Sequence, residues 1–435
     1  MKRLSHILRA LCVAASVVSL SPAVADGNWP NWRGPGLNGI ALNADPPVTW
    51  SETENIKWKT ALPGDGQTTP IIWGDRIFLQ AAVPVEGETT DFDATKATRP
   101  ITGRYEFVVL CLDRKSGEIL WQKTVCDAVP HQGHHPSTSL APYSPVTDGQ
   151  HVWASFGSRG LYCLDYDGNV VWQHALIQMN IRGPFGEGSS PALADGAVVV
   201  VTDHTDQSKI FAFEKETGEL RWEHNRDEPA TWATPLPVTV NGQVQVVTSA
   251  DNFIRSYDAK SGDITWQCGG LTSCASPTPV VANGNVYCAT GFRGNALLAI
   301  ELGHAGDLTG TDAIAWSNNE GPMPHVPTPL IYNGIIYTIE EFKNRLSAYD
   351  AESGNVVFEG KRLDGIKQIY ASPMAAAGRI YIPGREGVTV VLDPTDNAKI
   401  LAANKLDDIL DGSPAAIGNE LYLRGRENLY CIAAE

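Results

Sequence analysis

Short apolar runs alternate with turn residues along the chain, and residues 234–266 show the pattern most clearly. Thr234-Pro235 opens an apolar run that ends at the turn Asn241-Gly242, and a second run returns from that turn. A third and a fourth run follow, and the fourth carries Trp266. Short runs rich in β-branched and aromatic residues, bounded by turn residues, predict antiparallel strands joined by tight connections. This stretch is therefore predicted to be one four-stranded sheet.

The same pattern recurs along almost the whole chain. A Ser/Thr-Pro step opens eight repeats, at Thr69, Ser144, Ser190, Thr234, Ser276, Thr328, Ser372 and Ser413. A closing strand after an acid-x-x-Ser/Thr-Gly turn gives a second tally, and its aromatic position holds Trp121, Trp222, Trp266 and Phe358. Looser copies of this strand end at Trp172, Trp316 and Leu401. A period of about 40 to 50 residues with four strands per repeat is typical of a propeller, because neighbouring sheets must stack to bury both faces. The sequence therefore predicts an all-β, eight-bladed β-propeller of four-stranded antiparallel blades.

The two ends of the chain are predicted to meet in one blade. The last repeat, from Ser413 to Ile432, is too short for four strands, and a run at residues 55–60 that contains Trp58 resembles a closing strand. We expect the N-terminal segment, residues 26–60, to supply the missing strand, which closes the ring and removes its free edge. The aromatic residues of all closing strands, Trp58 included, are expected to be buried between adjacent blades. An open solenoid is the alternative architecture, and the offset of the termini argues against it.

The repeat resembles that of the pyrroloquinoline-quinone-like (PQQ-like) propellers, in which an Ala-x-Asp-x-x-Thr-Gly-x-x-x-Trp motif interlocks adjacent blades. Runs such as residues 29–35 and 185–191 also resemble a group of secreted bacterial propellers of this type. The resemblance covers nearly all of the mature chain and implies the fold. It implies two kinds of relative, the quinoprotein alcohol dehydrogenases, which hold the quinone over Ca²⁺, and the propeller lipoprotein of outer-membrane β-barrel assembly. The small residue of the motif is here Cys111, Cys163, Ala212, Ser256, Ala299 or Ala348.

Residues 1–25 are typical of a secretory signal peptide. A basic start precedes an apolar run that is too short to cross a membrane, and Ala23-Val24-Ala25 forms a small-x-small cleavage site. We expect an exported protein, periplasmic or extracellular, whose single domain covers residues 26–435. Cys12 lies inside the apolar run, which does not suit a lipid anchor, and no later stretch is apolar enough to span a bilayer.

The balance of charge argues against two classes of partner. The chain carries 33 Lys and Arg against 49 Asp and Glu, a net charge of -16. Removal of the signal peptide takes away three basic residues and no acidic ones, so 30 basic residues would face 49 acidic ones, a net charge of -19. Such a surface repels nucleic acid and anionic lipid headgroups. Neither is an expected partner.

The cysteines, a three-histidine loop and an insertion add local features. Among the eight cysteines, Cys268 and Cys274 flank a Gly-Gly loop and could form a disulfide, a possibility that the sequence leaves open. Residues 81–106 are rich in Thr, Asp, Pro and Gly without periodicity, which predicts a surface insertion in the first blade. A nearby loop carries three imidazoles without an acid or cysteine in ligand spacing, so no metal site is predicted. These imidazoles are His131, His134 and His135.

Binding by a propeller is expected where loops from many blades converge on the central channel. The loops that enter the first strand lie at the same end of the blades as the loops between the second and third strands. The entering loops supply Gln67, Glu187, Trp232, His325, Tyr370 and Asp411. The second-to-third loops supply Arg159, Asp203, His204, Asp251, Asn252, Arg293, Arg385, Arg424 and Arg426. We predict a ligand-binding funnel formed by Glu187, Trp232, Arg293, Tyr370, Arg385, Asp411 and Arg424.

Two functions of different class follow from this funnel. The preferred hypothesis is an exported, non-catalytic binding or scaffold propeller, whose funnel holds a peptide, a glycan or a small polar ligand. The alternative is a quinoprotein oxidoreductase that uses PQQ and Ca²⁺ on alcohols or sugars. The enzymes it resembles place a disulfide of adjacent cysteines against the quinone, and no Cys-Cys pair occurs here. Asp203, Asp251, Asn252 and Asp411 offer hard oxygen ligands, but no spacing identifies them as a Ca²⁺ set.

Hydrolase and kinase functions have no support from sequence motifs. The chain contains no nucleophile elbow, no phosphate-binding loop and no zinc motif. No cofactor is therefore predicted for the preferred hypothesis. The ligand itself is left open by the sequence.

Overall fold

The computed structural model describes residues 18–19, 27–86, 103–183 and 185–434. Within these ranges the protein is almost entirely β-structure, with one 3₁₀ turn at Gly157–Arg159. The strands form eight sheets, and each sheet contains an antiparallel set of four strands. Each set is one blade. The predicted all-β, eight-bladed propeller is confirmed.

In blades 1 to 7 the strands run from the central channel outward in chain order, and blade 8 differs only in its outermost strand, which comes from the N-terminal segment. Blade 1 contains Ile71–Trp73, Arg76–Pro84, Tyr105–Asp113 and Ile119–Ala128, and blade 2 contains Val146–Thr147, His151–Ser155, Leu161–Asp165 and Val170–His174. Blade 3 contains Ala192–Ala194, Ala197–Thr202, Ser208–Glu214 and Leu220–Arg226, and blade 4 contains Leu236–Val240, Gln243–Thr248, Ile254–Asp258 and Ile264–Cys268.

Blades 5 to 8 follow the same order. Blade 5 contains Val280–Ala282, Asn285–Thr290, Ala296–Glu301 and Ile314–Asn318, and blade 6 contains Leu330–Tyr332, Ile335–Glu340, Arg345–Asp350 and Val356–Arg362. Blade 7 contains Met374–Ala376, Arg379–Pro383, Val388–Asp393 and Lys399–Lys405, and blade 8 contains Ala415–Ile417, Glu420–Arg424, Asn428–Ile432 and Ile56–Ala61.

Three two-residue strands extend these sheets. Val18–Ser19 pairs with the innermost strand of blade 4, Ile40–Ala41 pairs with the innermost strand of blade 7, and Gly306–Asp307 pairs with the outermost strand of blade 4.

The blades pack face to face, which explains their pattern of burial. The second strand of blade 3 reads Ala197–Thr202 and is buried at every position, because both of its faces are covered by neighbouring blades. The outermost strand of the same blade, Leu220–Arg226, mixes buried and exposed positions, because solvent reaches the rim of the ring. Continuous apolar runs in the middle strands and mixed runs at the rim are what two-sided burial of a sheet requires.

The N-terminal strand closes the ring as predicted. Ile56–Ala61 pairs antiparallel with Asn428–Ile432, with Trp58 opposite Cys431. Trp58 is 9% exposed, and its indole N–H donates to the main-chain oxygen of Arg114 in blade 1 at 3.0 Å. The first and last blades are thereby joined by the same contact that joins other blades.

The closing-strand tryptophans interlock neighbouring blades through one repeated contact. Trp222 donates from its indole nitrogen to the oxygen of Ala259 at 3.1 Å, and its ring covers Gly262 of the next blade. Gly262 has φ of +78°, and a Cβ there would lie 2.7 Å from the Trp222 ring, so the position requires glycine. Trp121, Trp172 and Trp316 make the equivalent donation, to Tyr166, Lys215 and Ala351.

The predicted burial of these aromatics is correct for some and wrong for others. Trp58, Trp172, Trp222 and Trp266 are buried. Trp121, Trp316 and Phe358 are only partly buried.

The start of the fifth repeat was predicted two residues too early. The innermost strand of blade 5 begins at Val280 and follows Thr278-Pro279, not Ser276-Pro277. Two Ser/Thr-Pro steps stand next to each other in this sequence, so the residue pattern alone fits both registers. Only the pairing of Val280 with Tyr287 selects the second step.

One further prediction is corrected by the strands, and the possibility left open for two cysteines is decided. The proposed insertion at 81–106 is narrower than predicted, because the second and third strands of blade 1 continue to a pair formed by Pro84 and Tyr105. Residues 87–102 lie outside the described residues. Cys268 and Cys274 do not form the possible disulfide, and every cysteine of the described residues is free.

The predicted signal peptide, residues 1–25, lies outside the described residues apart from Val18–Ser19, and so does Cys12. Across the part of the chain that is described, no helix has the length and apolar character needed to cross a membrane.

Candidate functional site

A ring of hydroxyl side chains surrounds the central channel at the start of the innermost strands. Each belongs to a Ser or Thr followed by proline, and in all of them but Ser413 the backbone N–H donates to the hydroxyl oxygen of the next blade. Seven such bonds, 2.9 to 3.1 Å long, join the eight blades in sequence. We call this set the hydroxyl ring: Thr69, Ser144, Ser190, Thr234, Thr278, Thr328, Ser372 and Ser413.

A cavity of about 420 Å³ opens from the hydroxyl ring toward the entering loops. All eight members of the ring line it. Aromatic side chains form much of the remaining wall, and two of them, Phe185 and Phe342, are 46% and 58% exposed. A concave site with several apolar surfaces and a few polar groups is the usual form of a ligand pocket. We call these side chains the aromatic wall: Trp32, Phe185, Trp232, Phe292, Phe342 and Tyr370.

The aromatic wall continues from blade to blade. The rings of Phe292 and His325 are stacked with centroids 4.8 Å apart, and Phe342 lies 6.2 Å from His325 and 6.1 Å from Tyr370. On the opposite side, Trp232 is fixed by donation from its indole nitrogen to the oxygen of Gly186 at 2.8 Å. Rings held in place this way offer flat faces for stacking at low entropic cost.

An N-terminal crossing segment, residues 28–41, runs beneath the cavity. Trp29 donates its backbone N–H to the oxygen of Ile72 in blade 1 at 2.7 Å, and Ile40–Ala41 pairs with Ala375–Ala376 in blade 7. Trp32 lies between these anchors and lines the cavity. The segment therefore spans the channel and forms the floor of the cavity.

Arg33 is buried under this floor. Its guanidinium donates to the oxygens of Pro373 at 2.7 Å, Asn38 at 2.9 Å and Pro329 at 3.3 Å. A Cβ at Gly39, where φ is +78°, would lie 2.5 Å from the guanidinium, so this close approach requires glycine. Burial lowers the pKa of Arg33 to about 9, which still leaves it charged at neutral pH.

Glu187 is held by its neighbours on every side. Its carboxylate accepts bonds from Arg159 at 3.1 and 3.2 Å, from the Tyr143 hydroxyl at 3.0 Å and from the Ser158 backbone N–H at 2.8 Å. Burial, followed by the charge of Glu187, raises the pKa of Tyr143 well above its usual value, so the phenol remains a donor.

Asp411 is the second carboxylate of the cavity wall. Its Oδ2 accepts from Gln67 at 3.0 Å and lies 3.3 Å from Arg426 and 3.4 Å from Arg385. Its Oδ1 is buried and has no partner among the described residues. Burial raises the pKa of Asp411 against the opposing effect of the two arginines. Arg385 in turn lies 5.3 Å from the centre of the Tyr370 ring.

The structure brings most of the predicted funnel residues together. Glu187, Trp232, Tyr370 and Asp411 line the cavity, as do Gln67 and His325. Arg385 does not line it and reaches it through its contacts with Asp411 and Tyr370.

Two predicted funnel residues lie elsewhere. Arg293 is exposed and lies 5.3 Å from the centre of the Phe292 ring, outside the cavity lining. Arg424 is buried between blades 8 and 1, where it donates to Thr68 Oγ1 and to the oxygen of Gln80. The prediction for Arg424 was wrong because this residue ends the second strand, Glu420–Arg424, and is not part of the loop that follows.

Several lining residues were missed by sequence reasoning. Phe185, Phe292 and Phe342 are aromatic residues in or near loops already assigned to this end of the blades, so a search for aromatic residues in those loops would have found them. Trp32 carries no such signal. It belongs to a segment outside the repeat, and only its contacts with distant blades place it at the floor.

The oxygen ligands proposed for Ca²⁺ do not form a set. Asp203 is paired with Arg226 at 2.7 Å in a buried salt bridge, and Asp251 accepts the backbone N–H of Ala275 at 2.9 Å. Among the described residues no three His, Cys, Asp or Glu side chains are grouped as metal ligands, and this includes the three-histidine loop. His131 bonds instead to the oxygen of Met179. The residues present do not fit a quinone held over Ca²⁺.

Comparison with known proteins identifies the family. A family model described as outer membrane protein assembly factor BamB matches residues 105–359 and 237–435. The chain belongs to this family. A related sequence is the outer membrane protein assembly factor BamB of Bordetella pertussis, which is 22% identical over 287 residues, 63% of this chain and 68% of the relative. Tetrathionate hydrolase of Acidithiobacillus ferrooxidans is 27% identical over 194 residues, 41% of this chain and 36% of that protein.

Solved structures share the PQQ-like propeller fold. BamB from Moraxella catarrhalis superposes with a TM-score of 0.56 at 15% identity, covering 82% of this chain and 98% of that one. Quinohemoprotein alcohol dehydrogenase from Comamonas testosteroni superposes with a TM-score of 0.62 at 10% identity, covering 94% and 80%. One of these proteins is named BamB and the other a dehydrogenase, so the shared fold does not decide between binding and catalysis.

Proposed function

We propose that the protein is an exported, non-catalytic binding propeller of the cell envelope, which holds a ligand or a peptide segment of a partner in its central cavity. Membership of a family described as an assembly factor supports the class. The signal-like N-terminus supports export, and N-terminal sequencing of the exported protein should then find Asp26 as its first residue.

The observation that carries this proposal is the state of the polar groups around the cavity. Glu187 is saturated by donors from three residues, and Asp411 faces two arginines. His325 Nδ1 lies 3.1 Å from Glu341 Oε1, but the two atoms are not aligned as a hydrogen bond. These groups are therefore held by charged or polar neighbours. The described lining offers stacking faces and fixed dipoles, which favour binding.

Trp232, Tyr370 and Asp411 are the proposed contact residues, with Glu187 as a fixed negative charge beside them, and Arg385 is proposed to position Asp411 and Tyr370. Phe185 and Phe342 join them as exposed stacking surfaces, because large exposed aromatics at the mouth of a cavity are typical of interaction sites. A peptide with aromatic and polar side chains suits this mixture.

Selection from a displayed peptide library tests the proposal. Mature protein should enrich peptides with a common motif. The double variant Phe185→Ala/Phe342→Ala should bind these peptides about tenfold or more weakly, because each substitution removes a ring whose apolar surface the bound peptide would bury. Val171→Ala/Val357→Ala is the matched control, since these side chains are 47% and 54% exposed but lie on outermost strands. Selection of no motif, or equal loss in both double variants, would contradict the proposal.

The quinoprotein alternative is tested in the same preparation. Addition of PQQ and Ca²⁺ should give no stoichiometric bound absorbance and no dye-linked oxidation of alcohols. A bound spectrum with activity would establish the enzyme and displace the binding function.

A further inference from the structure

The blind end of the cavity presents hydrogen-bond donors that nothing in the described protein accepts. Seven hydroxyls of the hydroxyl ring accept a backbone N–H from the preceding blade. Among the described residues, none of the eight donates its own O–H to a protein acceptor. A hydroxyl that accepts a hydrogen bond still has one proton to donate. The ring therefore leaves O–H groups on several sides of the channel free to donate to a guest.

Two buried guanidinium groups without an acidic partner flank this ring. Arg33 binds the oxygens of Pro329 and Pro373, and each of these prolines directly follows a member of the ring. Its other bond is also to a backbone oxygen. The Nε of Arg33 has no hydrogen-bond partner among the described residues. No carboxylate of the described chain forms a salt bridge with the Arg33 guanidinium.

Arg424 repeats this situation at the joint between blades 8 and 1. It donates to Thr68 and to the oxygen of Gln80, while its Nε and Nη2 have no partner in the described structure. The charges of Asp65 and Asp408 favour the charged form of Arg424, but neither carboxylate lies within salt-bridge distance of it. Burial lowers the pKa of Arg424 to about 10, so it is charged at neutral pH, as Arg33 is.

Buried charges in proteins are normally paired, because an isolated ion in a low-dielectric interior is costly. Two buried cations without a salt-bridge partner therefore lie beside a ring of free hydroxyl donors, and Asp65 and Asp408 oppose only the charge of Arg424, from longer range. The two carboxylates that line the same cavity, Glu187 and Asp411, are already matched by arginines. Donors in the first contact layer and cations directly behind them are the arrangement that recognises an oxyanion.

We propose that the hydroxyl ring is an oxyanion-binding site. It takes an anionic group with several acceptor oxygens, either a free inorganic oxyanion or the charged end group of an organic ligand whose body lies against the aromatic wall. The site rests on the proposed binding function and specifies its ligand. The oxygens accept from the ring hydroxyls, while Arg33 and Arg424 stabilise the charge from behind.

Thr69 offers a clean variant for the test. Its hydroxyl lines the cavity but accepts no backbone N–H in the described structure, whereas its own N–H donates to Ser144. Thr69→Val therefore removes one donor and keeps the seven bonds that join the blades. Thr217→Val, on an exposed turn of blade 3, is the matched control.

Titration calorimetry on the full protein at constant ionic strength measures the effect. Sulfate or phosphate should bind at one site where chloride does not, and Thr69→Val should weaken binding about tenfold or more, because a hydrogen bond to an ion is lost. Thr217→Val should bind as the parent does. Arg33→Gln should weaken binding, and in titrations repeated over a range of ionic strength its affinity should depend less on salt. If Arg33→Gln does not fold, the result for Thr69→Val tests the oxyanion site alone.

A second pair of probes separates the two sources of the anion. Benzenesulfonate is charged, and benzenesulfonamide is its neutral counterpart of similar shape. Much tighter binding of benzenesulfonate than of sulfate, lost in Phe342→Ala, supports an organic ligand. Similar affinities for sulfate and benzenesulfonate support a free ion.

The proposal is overturned if none of these anions binds, or if they bind Thr69→Val and the parent equally. Peptide selection that depends on Phe185 and Phe342 while no oxyanion binds would remove the oxyanion site and leave the binding function standing. Failure of both would remove the functional role of the cavity.

Discussion

At the scale of single residues, the protein depends on close approaches between tryptophan and glycine. Trp222 covers Gly262 and donates to Ala259, and the same pair of contacts recurs where Trp316 covers Gly354. The tryptophans could be predicted because they recur at one position of each repeat. Their different exposure could not, because the repeat gives all of them the same position.

Substitution of Trp222 should separate packing from hydrogen bonding. Trp222→Ala leaves a cavity over Gly262 and should lower the free energy of unfolding by about 3 to 5 kcal/mol. Trp222→Phe keeps an aromatic ring there but loses the bond to Ala259, so a loss of about 1 to 2 kcal/mol is expected. Chemical denaturation measures both. An unchanged midpoint for Trp222→Ala would show that this contact does not hold the blades together.

At the scale of elements, the acidic turn before each outermost strand is the best-defined local structure. Asp350 accepts the hydroxyl of Ser353 at 2.7 Å and its backbone N–H at 2.8 Å. These bonds, that from the side chain first, lower the pKa of Asp350. Bonds within the turn likewise lower the pKa of Asp113, from the Ser116 backbone first, and of Asp393, from the Thr395 side chain first.

A lowered folded-state pKa predicts a direction for the effect of acid. The folded protein holds the proton of Asp350 less tightly than the unfolded chain does, so the stabilisation is present above the unfolded pKa and is lost as pH falls through the ordinary carboxyl range, about 4, toward the lower folded value. The difference in melting temperature between the parent and Asp350→Ala should therefore shrink from about pH 6 to about pH 3. Asp364→Ala, at an exposed site outside these turns, is the control. If the difference in melting temperature between the parent and Asp350→Ala grows as the pH falls, the predicted direction is wrong.

Sequence reasoning misplaced the boundaries of two elements within the repeats. Ser276-Pro277 was taken as the start of blade 5 because Thr278-Pro279 directly follows it and has the same pattern. The predicted insertion in blade 1 is too wide, since the ends of the two strands beside a stretch rich in Thr, Asp, Pro and Gly resemble a loop, and only the pairing of Pro84 with Tyr105 shows them to be strands. Local pattern defines the type of an element better than its ends.

At the scale of the whole molecule, the ring was predictable and the floor of its cavity was not. Eight copies of one pattern require stacked sheets, and the offset of the termini requires closure. The crossing segment follows no period, and Arg33 is bonded to Pro373, 340 positions away in the chain. Contacts of that separation leave no trace in local sequence. The cavity wall was predicted where it lies on loops of known register and missed where it lies on this segment.

Closure of the ring predicts how truncation should act. Deletion of residues 27–50 removes the floor but leaves the strand Ile56–Ala61, whereas deletion of residues 27–61 also exposes the edge of Asn428–Ile432 and removes Trp58 from blade 1. The longer deletion should lower the melting temperature further and broaden the calorimetric transition, because an open ring loses the cooperativity that joins its first and last blades.

The point variant Trp58→Ala distinguishes the strand from its anchoring side chain in this comparison. It keeps the backbone pairing with Asn428–Ile432 and loses the donation to Arg114, so its melting temperature should lie between those of the parent and of the longer deletion. If the two deletions have the same melting temperature and both unfold as cooperatively as the parent, the pairing of Ile56–Ala61 does not stabilise the ring.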